Sequence, residues 1–164
     1  MAQATHKQTH NTKVPIISRD KWKSHANYPS QALLLGSHEG FRRVSRYLID
    51  QARGLKPDDA TTPLRQLFTR WRGAMRSHEG YEEGRLYPFL ELRWGVQLDP
   101  LEQQHKHLGE LARTVMRSWD GDKAALVTAL EAHDLALVAH LNAEEERVIP
   151  MLLELSRAEF EIYT

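Results

Sequence analysis

The chain contains no cysteine in 164 residues, which excludes disulfide scaffolds, thiolate zinc sites, iron–sulfur clusters and cysteine nucleophiles. It also has no net charge. Its 22 basic residues balance 22 acidic ones, so no overall field draws it toward nucleic acid or an anionic membrane. No run approaches the roughly 18 apolar residues of a membrane span, and no apolar targeting segment follows Met1. These absences predict a soluble, cytoplasmic protein with neither nucleic acid nor membrane as partner, and they leave the oligomeric state open. Histidine and carboxylate remain as the strong metal ligands.

A chain of this length suits one domain that buries its own core. Residues 1 to about 28 are polar and aperiodic and read as an N-terminal arm, with Val14, Ile16, Ile17 and Trp22 as candidate anchors. Residues 29–164 read as an all-α domain, because four segments carry apolar residues at alternating steps of three and four. The first, about 30 to 53, aligns Leu34, His38, Phe41, Ser45 and Leu48, and ends near Gly54 and Pro57. The second opens with Thr62 as N-cap and Pro63 in the first turn, then aligns Phe68, Trp71, Met75, His78, Glu82, Leu86 and Phe89, with a bend expected at Pro88. The third, the shortest, aligns Leu101, His105, Leu108, Ala112, Val115 and Trp119. The fourth aligns Leu126, Leu130, His133, Leu137, His140, Glu144, Val148, Met151 and Leu155. Short connectors between four such helices favour an up-down-up-down antiparallel four-helix bundle, whose core can build a metal site from facing side chains.

Two segments repeat each other. Residues 78–88 and 140–150 both read H-x-x-x-E-E-x-R-x-x-P. The i, i+4 spacing sets His78 with Glu82, and His140 with Glu144, on one helical face, one turn apart, where a ring nitrogen and a carboxylate can approach one ion or bridge two. Burying such carboxylates unpaired is costly, and a metal is one of the few partners able to compensate them together with several imidazoles. Such mixed ligation suits iron, manganese or zinc.

With His38 alone in the first helix, His78 and Glu82 in the second, His105 in the third, and His140 and Glu144 in the fourth, residues 30 to 156 resemble the hemerythrin-like, or HHE cation-binding, family. That resemblance implies a centre of two non-heme iron ions, oxo- or hydroxo-bridged, held by these six residues. It suggests His78 with His105 on one iron, His38 with His140 on the other, and Glu82 and Glu144 bridging. The implied ligands are dioxygen, peroxide or a similar small molecule. One departure stands out: oxygen carriers of the family place a second histidine one turn after the first in the third helix, where this chain has Gly109, and His107 points off the stripe. A site short of one imidazole favours reactive or redox chemistry, a di-iron oxidoreductase, unless Glu79 or Glu83 supplies the ligand. The alternative is an oxygen- or iron-responsive sensor without turnover, with the N-terminal arm as reporter.

Other polar residues have plainer expectations. His133, two turns before His140, reads as a core histidine satisfied by a carbonyl or water, and His6, His10, His25 and His107 as surface residues. Glu83, Glu145 and Glu146 lie off the stripes and read as solvated charge, while Tyr81, Tyr87 and Trp71 read as packing.

Overall fold

The computed structural model describes residues 13–56 and 58–163, and its regular structure is entirely helical, with no strand among the described residues. Residues 1–12, with His6 and His10, and Pro57 lie outside the described residues. Four rods form a helical bundle. The first is α1 (Leu34–Gly54); the second joins α2 (Thr62–Tyr81), a π-helical turn (Glu82–Leu86) and α3 (Tyr87–Trp94); the others are α4 (Asp99–Ser118) and α5 (Lys123–Leu153). A 3₁₀ turn (Arg19–Ser24) precedes them and a short α6 (Arg157–Tyr163), not anticipated from the sequence, follows. The central rod α5 packs on α1 and α4, α2 packs on α1, and α2 meets α4 least closely.

Local signals place the helix ends. Pro63 and Pro100 both sit in a first turn, where a missing N–H costs nothing, and Gly95 (φ 65°) closes α3 by donating its N–H to Glu91 O at 2.8 Å. The N-cap position of α2 is Thr61 rather than Thr62, and it makes no side-chain cap bond; α4 starts at Asp99, two residues ahead of the expected Leu101. Helix α1 starts at Leu34 rather than near residue 30, because residues 25–32 are occupied by successive turns, with Tyr28 N donating to His25 O and Ala32 N to Pro29 O.

The expected stripes face inward. Every stripe residue of α4 and α5 is buried, as are His38, Ser45 and Leu48 of α1. Two apolar clusters result, one around Leu86, Tyr87, Leu90, Leu101, Val148 and Met151, the other around Leu48, Phe68, Met75, Leu108, Val115 and Leu137. His38, His78, His105 and His140, one from each rod, fall between these clusters, so a polar layer divides the core, while His133 sits among the residues of the second cluster.

The second rod departs from its expected register. Instead of a bend at Pro88, the helix widens into the π turn just before it. Proline lacks the N–H that would bond the carbonyl four residues earlier and its ring crowds that carbonyl, here that of Gly84, the most deformable residue available. One extra residue in the turn advances the inward face, so Tyr87, Leu90 and Trp94 are buried while Phe89 is only partly so.

Residues 13–33 lie against the bundle. Trp22 is buried and its Nε1 donates to Ile17 O at 2.9 Å, Val14 and Ile17 pack beside it, and Ile16, expected as an anchor, is exposed. Asn27 Nδ2 donates to Leu153 O at 2.8 Å, tying this segment to the end of α5. By length and composition alone α5 could cross a membrane, contrary to the sequence expectation; a bundle's core helix passes the same test, and α5 buries His133, His140, Glu144 and Glu145.

Candidate metal centre

All six expected ligands meet in the polar layer. His38 and His78 bring their Nε2 atoms to 3.1 Å, and His105 and His140 bring theirs to 3.0 Å. One donor atom from each of His38, His78 and Glu82 lies within 4.8 Å of the others, a group able to hold a metal ion. Glu82 lies between the pairs, with Oε1 at 2.9 Å from His78 Nε2 and Oε2 at 3.6 Å from His105 Nε2. Glu144 turns one oxygen inward, Oε2, to 3.4 Å from His38 Nε2 and 3.6 Å from His140 Nε2. The pairing differs from the one the sequence suggested: His38 joins His78 and His105 joins His140. Helix packing accounts for this, since α1 packs on α2 and α4 on α5, whereas the suggested His78–His105 pair would need the loosely packed α2 and α4 to close up.

Outer partners orient the rings. His38 Nδ1 donates to Glu145 Oε1 at 3.0 Å, His105 Nδ1 to Glu83 Oε1 at 2.8 Å, and His140 Nδ1 to Gln104 Oε1 at 2.9 Å. Those acceptors assign the proton of each neutral ring to Nδ1 and leave Nε2, with its lone pair, facing the centre. At 3.0 Å, the Nε2 atoms of His105 and His140 then set two lone pairs toward each other. Both oxygens of Glu82 and Oε2 of Glu144 are buried, with the ring nitrogens of the layer beside them and no hydrogen bond from outside it. Lone pairs and buried carboxylate oxygens converging on one volume repel unless positive charge sits among them, so the donor set fits a metal.

The electrostatics agree. Burial of His38 disfavours its charged ring, yet Glu145, Glu82 and Glu144 together outweigh that and raise the imidazole to about 9. Burial and the neighbouring Glu82 charge push Glu144 well above the usual carboxylate range, whereas Glu82, despite its burial, is held low by His38 and His78. Burial, reinforced by His105, lowers His140 to about 3, keeping it a neutral lone-pair donor. The layer takes up positive charge wherever a group can carry it, and a cation would displace those protons.

Several polar residues do more than the sequence suggested. Glu145, expected as surface charge, is buried and also receives Arg42 at 2.7 Å and Arg19 at 2.9 Å. Glu83 is partly exposed and holds His105 at 2.8 Å, and Glu79 pairs with Arg72 at 2.8 Å. Tyr87, expected as packing, donates its hydroxyl to Glu144 Oε1 at 2.7 Å, and burial together with Glu144 holds its phenol far above the normal range. Gln104 gave no sequence signal; Glu83 and Glu145 did, as the second glutamate of each repeat. His133 is buried between Phe68 and Trp71, a core position as expected. His107, as expected, is exposed, Glu146 is exposed, and His25 lies 3.6 Å from Glu154.

The family model described as the hemerythrin HHE cation binding domain matches residues 31–152. No curated protein and no solved structure matches the chain. That model covers most of the chain and spans every histidine and carboxylate of the polar layer. The chain therefore belongs to the hemerythrin HHE cation-binding domain family.

Proposed function

We propose that the chain is a non-heme di-iron protein that binds or reduces dioxygen or peroxide, built as an up-down-up-down antiparallel four-helix bundle with both ions in its core. What carries this reading is the meeting of four inward-facing imidazole nitrogens, in two pairs, around two buried carboxylates whose inner oxygens have no hydrogen bond from outside this layer. His38 and His78 would hold one ion, His105 and His140 the other; Glu82 would give one oxygen to each, and Glu144 would give Oε2 between them. Bound iron supplies Lewis acidity and one-electron redox capacity.

The protein's own residues supply orientation, access and protons. Glu145, Glu83 and Gln104 fix three rings through Nδ1, so Nε2 needs no reorganisation on binding. His78 lines a cavity of about 310 Å³ with Leu33, Leu34, Tyr81, Leu86 and Phe160, a mostly apolar approach suited to a small neutral ligand. Tyr87 keeps its proton on Oη and directs it at Glu144 Oε1, which leaves Oε2 alone facing inward. Gly109, one turn after His105, offers no ligand atom, so one ion keeps an open position for the incoming molecule. Among the described residues, no side chain outside this layer is arranged as a separate general acid or base.

The test is metal analysis of protein purified without added iron, followed by stopped-flow mixing of the ferrous form with dioxygen and with hydrogen peroxide. Two irons per chain and repeated oxidation without metal loss are expected; a single zinc, or silence toward both oxidants, refutes the reading. A sensor is the second reading, favoured by Arg19 of the N-terminal segment, which reaches His38 through Glu145. A change in protease sensitivity of residues 13–33 on metal loss, without turnover, would select it.

A further inference from the structure

Between α2 and α4, away from the histidine-lined cavity, runs a groove of about 770 Å³. Arg72, Arg76, Lys106 and Arg113 line it against a single carboxylate, Glu110. Arg72 is held by Glu79 at 2.8 Å and Arg113 leans toward Glu110 at 4.0 Å, but Arg76 and Lys106 have no hydrogen-bond or ion-pair partner among the described residues. The groove has an apolar side too, offered by the partly buried Met116 and the methylene stems of the cations, since Phe68 and Ala112 behind it are buried.

Two glycines keep it open. Gly73 and Gly109 both line the groove from mid-helix, where glycine costs about 1 kcal/mol relative to alanine. Close helix contact does not repay that cost: a Cβ on Gly73 would meet nothing, and one on Gly109 only the tips of Arg72 and Arg113, at 3.7 and 3.9 Å. The groove also lies beside the histidine layer, since Lys106 follows His105 and Arg76 precedes His78 by two residues, within one helical turn in each case.

We propose that this groove is a binding site for a small organic anion with an apolar body, of the carboxylate class, seated with its chain on Met116 and the cations' methylene stems and its head between Arg76 and Lys106. Guanidinium and ammonium groups match a carboxylate, and a volume of this size accommodates a metabolite. Extended polyanions fit less well, because binding them relies on a run of phosphate contacts and here Glu110 interrupts the cations and the chain as a whole is neutral. The site stands whether or not the metal layer holds iron.

Octanoate is the probe, titrated by calorimetry into the full chain as purified, beside acetate and 1-octanol. Saturable octanoate binding is expected, at least tenfold tighter than that of acetate or octanol. The double variant Arg76→Glu, Lys106→Glu and, separately, Gly73→Leu should each weaken it at least tenfold, with helicity and metal content unchanged. The first pair is exposed, so folding survives; at Gly73 a Cβ meets nothing within 4 Å, so the leucine fills the groove without removing its charge. No saturable octanoate binding by about 10 mM, well above the millimolar range of weak specific sites, overturns the proposal, as does undiminished binding in both variants. Equal binding of acetate overturns the apolar seat, and displacement by an oligonucleotide that still binds Gly73→Leu shows a surface polyanion site instead.

Discussion

The two H-x-x-x-E-E-x-R-x-x-P segments start from nearly the same chemistry and end in different structures. In both, the first glutamate faces the centre and the second reaches a histidine on a neighbouring rod: Glu83 takes His105 and Glu145 takes His38. Glu83 is 40% exposed and holds only the His105 ring, whereas Glu145 is 1% exposed and joins the His38 ring to Arg42 and Arg19. The prolines diverge as well. Pro88 follows a π turn, while Pro150 sits inside an uninterrupted α5. The residue four before each proline is Gly84 in one case and Glu146 in the other, and glycine yields where a side chain keeps regular helix. The motif thus fixes which atoms turn inward, and its variable positions decide how firmly they are held.

Glu82 offers an oxygen to each histidine pair and Glu144 offers only one oxygen in all, so the largest contrast should come from removing them. On the proposed metal centre, Glu82→Ala is expected to lose the bound metal and Glu144→Ala to retain part of it, each with lowered thermal stability; mass-spectrometric metal analysis and calorimetry decide. Equal retention would show that the two carboxylates act alike. One step outward, Glu145→Gln should weaken metal binding by about 10–100-fold and cost about 3 kcal/mol, because it strands Arg42 and His38 in a buried network. Glu83→Gln, at a half-open position, should cost less than about 1 kcal/mol. Chelator competition and urea unfolding separate the two, and similar losses would erase the distinction drawn from burial.

Seven residues before the repeat histidines stand Trp71 in one segment and His133 in the other, in ring contact at 5.5 Å. Burial, reinforced by Arg72, lowers His133 to about 4. The unfolded chain therefore binds a proton that the folded chain refuses, and stability falls as pH drops from about 6.5 toward 4 and levels below that. By pH 5 the loss is about 2 kcal/mol at roughly 1.4 kcal/mol per unit, and His133→Leu should remove this part of the pH dependence in thermal melts. The smallest effect is expected from Pro88→Ala, which should change stability by about 1 kcal/mol or less while letting the π turn relax and Tyr87 withdraw from Glu144. A crystal structure of the variant with that hydrogen bond intact would show that Gly84 alone shapes the turn.

The stripes of α4 and α5 were legible because their helices are regular, and period alone carries a side chain to the correct face. His38, His78, Glu82, His105, His140 and Glu144 were legible because ligands must interrupt an apolar face. The π turn was not, since an inserted helical residue leaves no break in periodicity that differs from ordinary noise; Phe89 was therefore placed inward where Tyr87 and Leu90 belong. Histidine pairing was equally hidden, being set by which rods pack closely. Glu145 looked like solvated charge because its partners are 126, 107 and 103 residues away, on Arg19, His38 and Arg42.

Arg19 and Arg42 grip the same carboxylate under unlike conditions, the first with half of its side chain in solvent and the second with 14% exposed. Added salt screens the outer grip far more than the inner. Ionic strength therefore acts as a dial on the N-terminal segment: at high salt Arg19 lets go while Arg42 keeps Glu145 on His38, so the leading strand can peel from the surface without the inner ring turning.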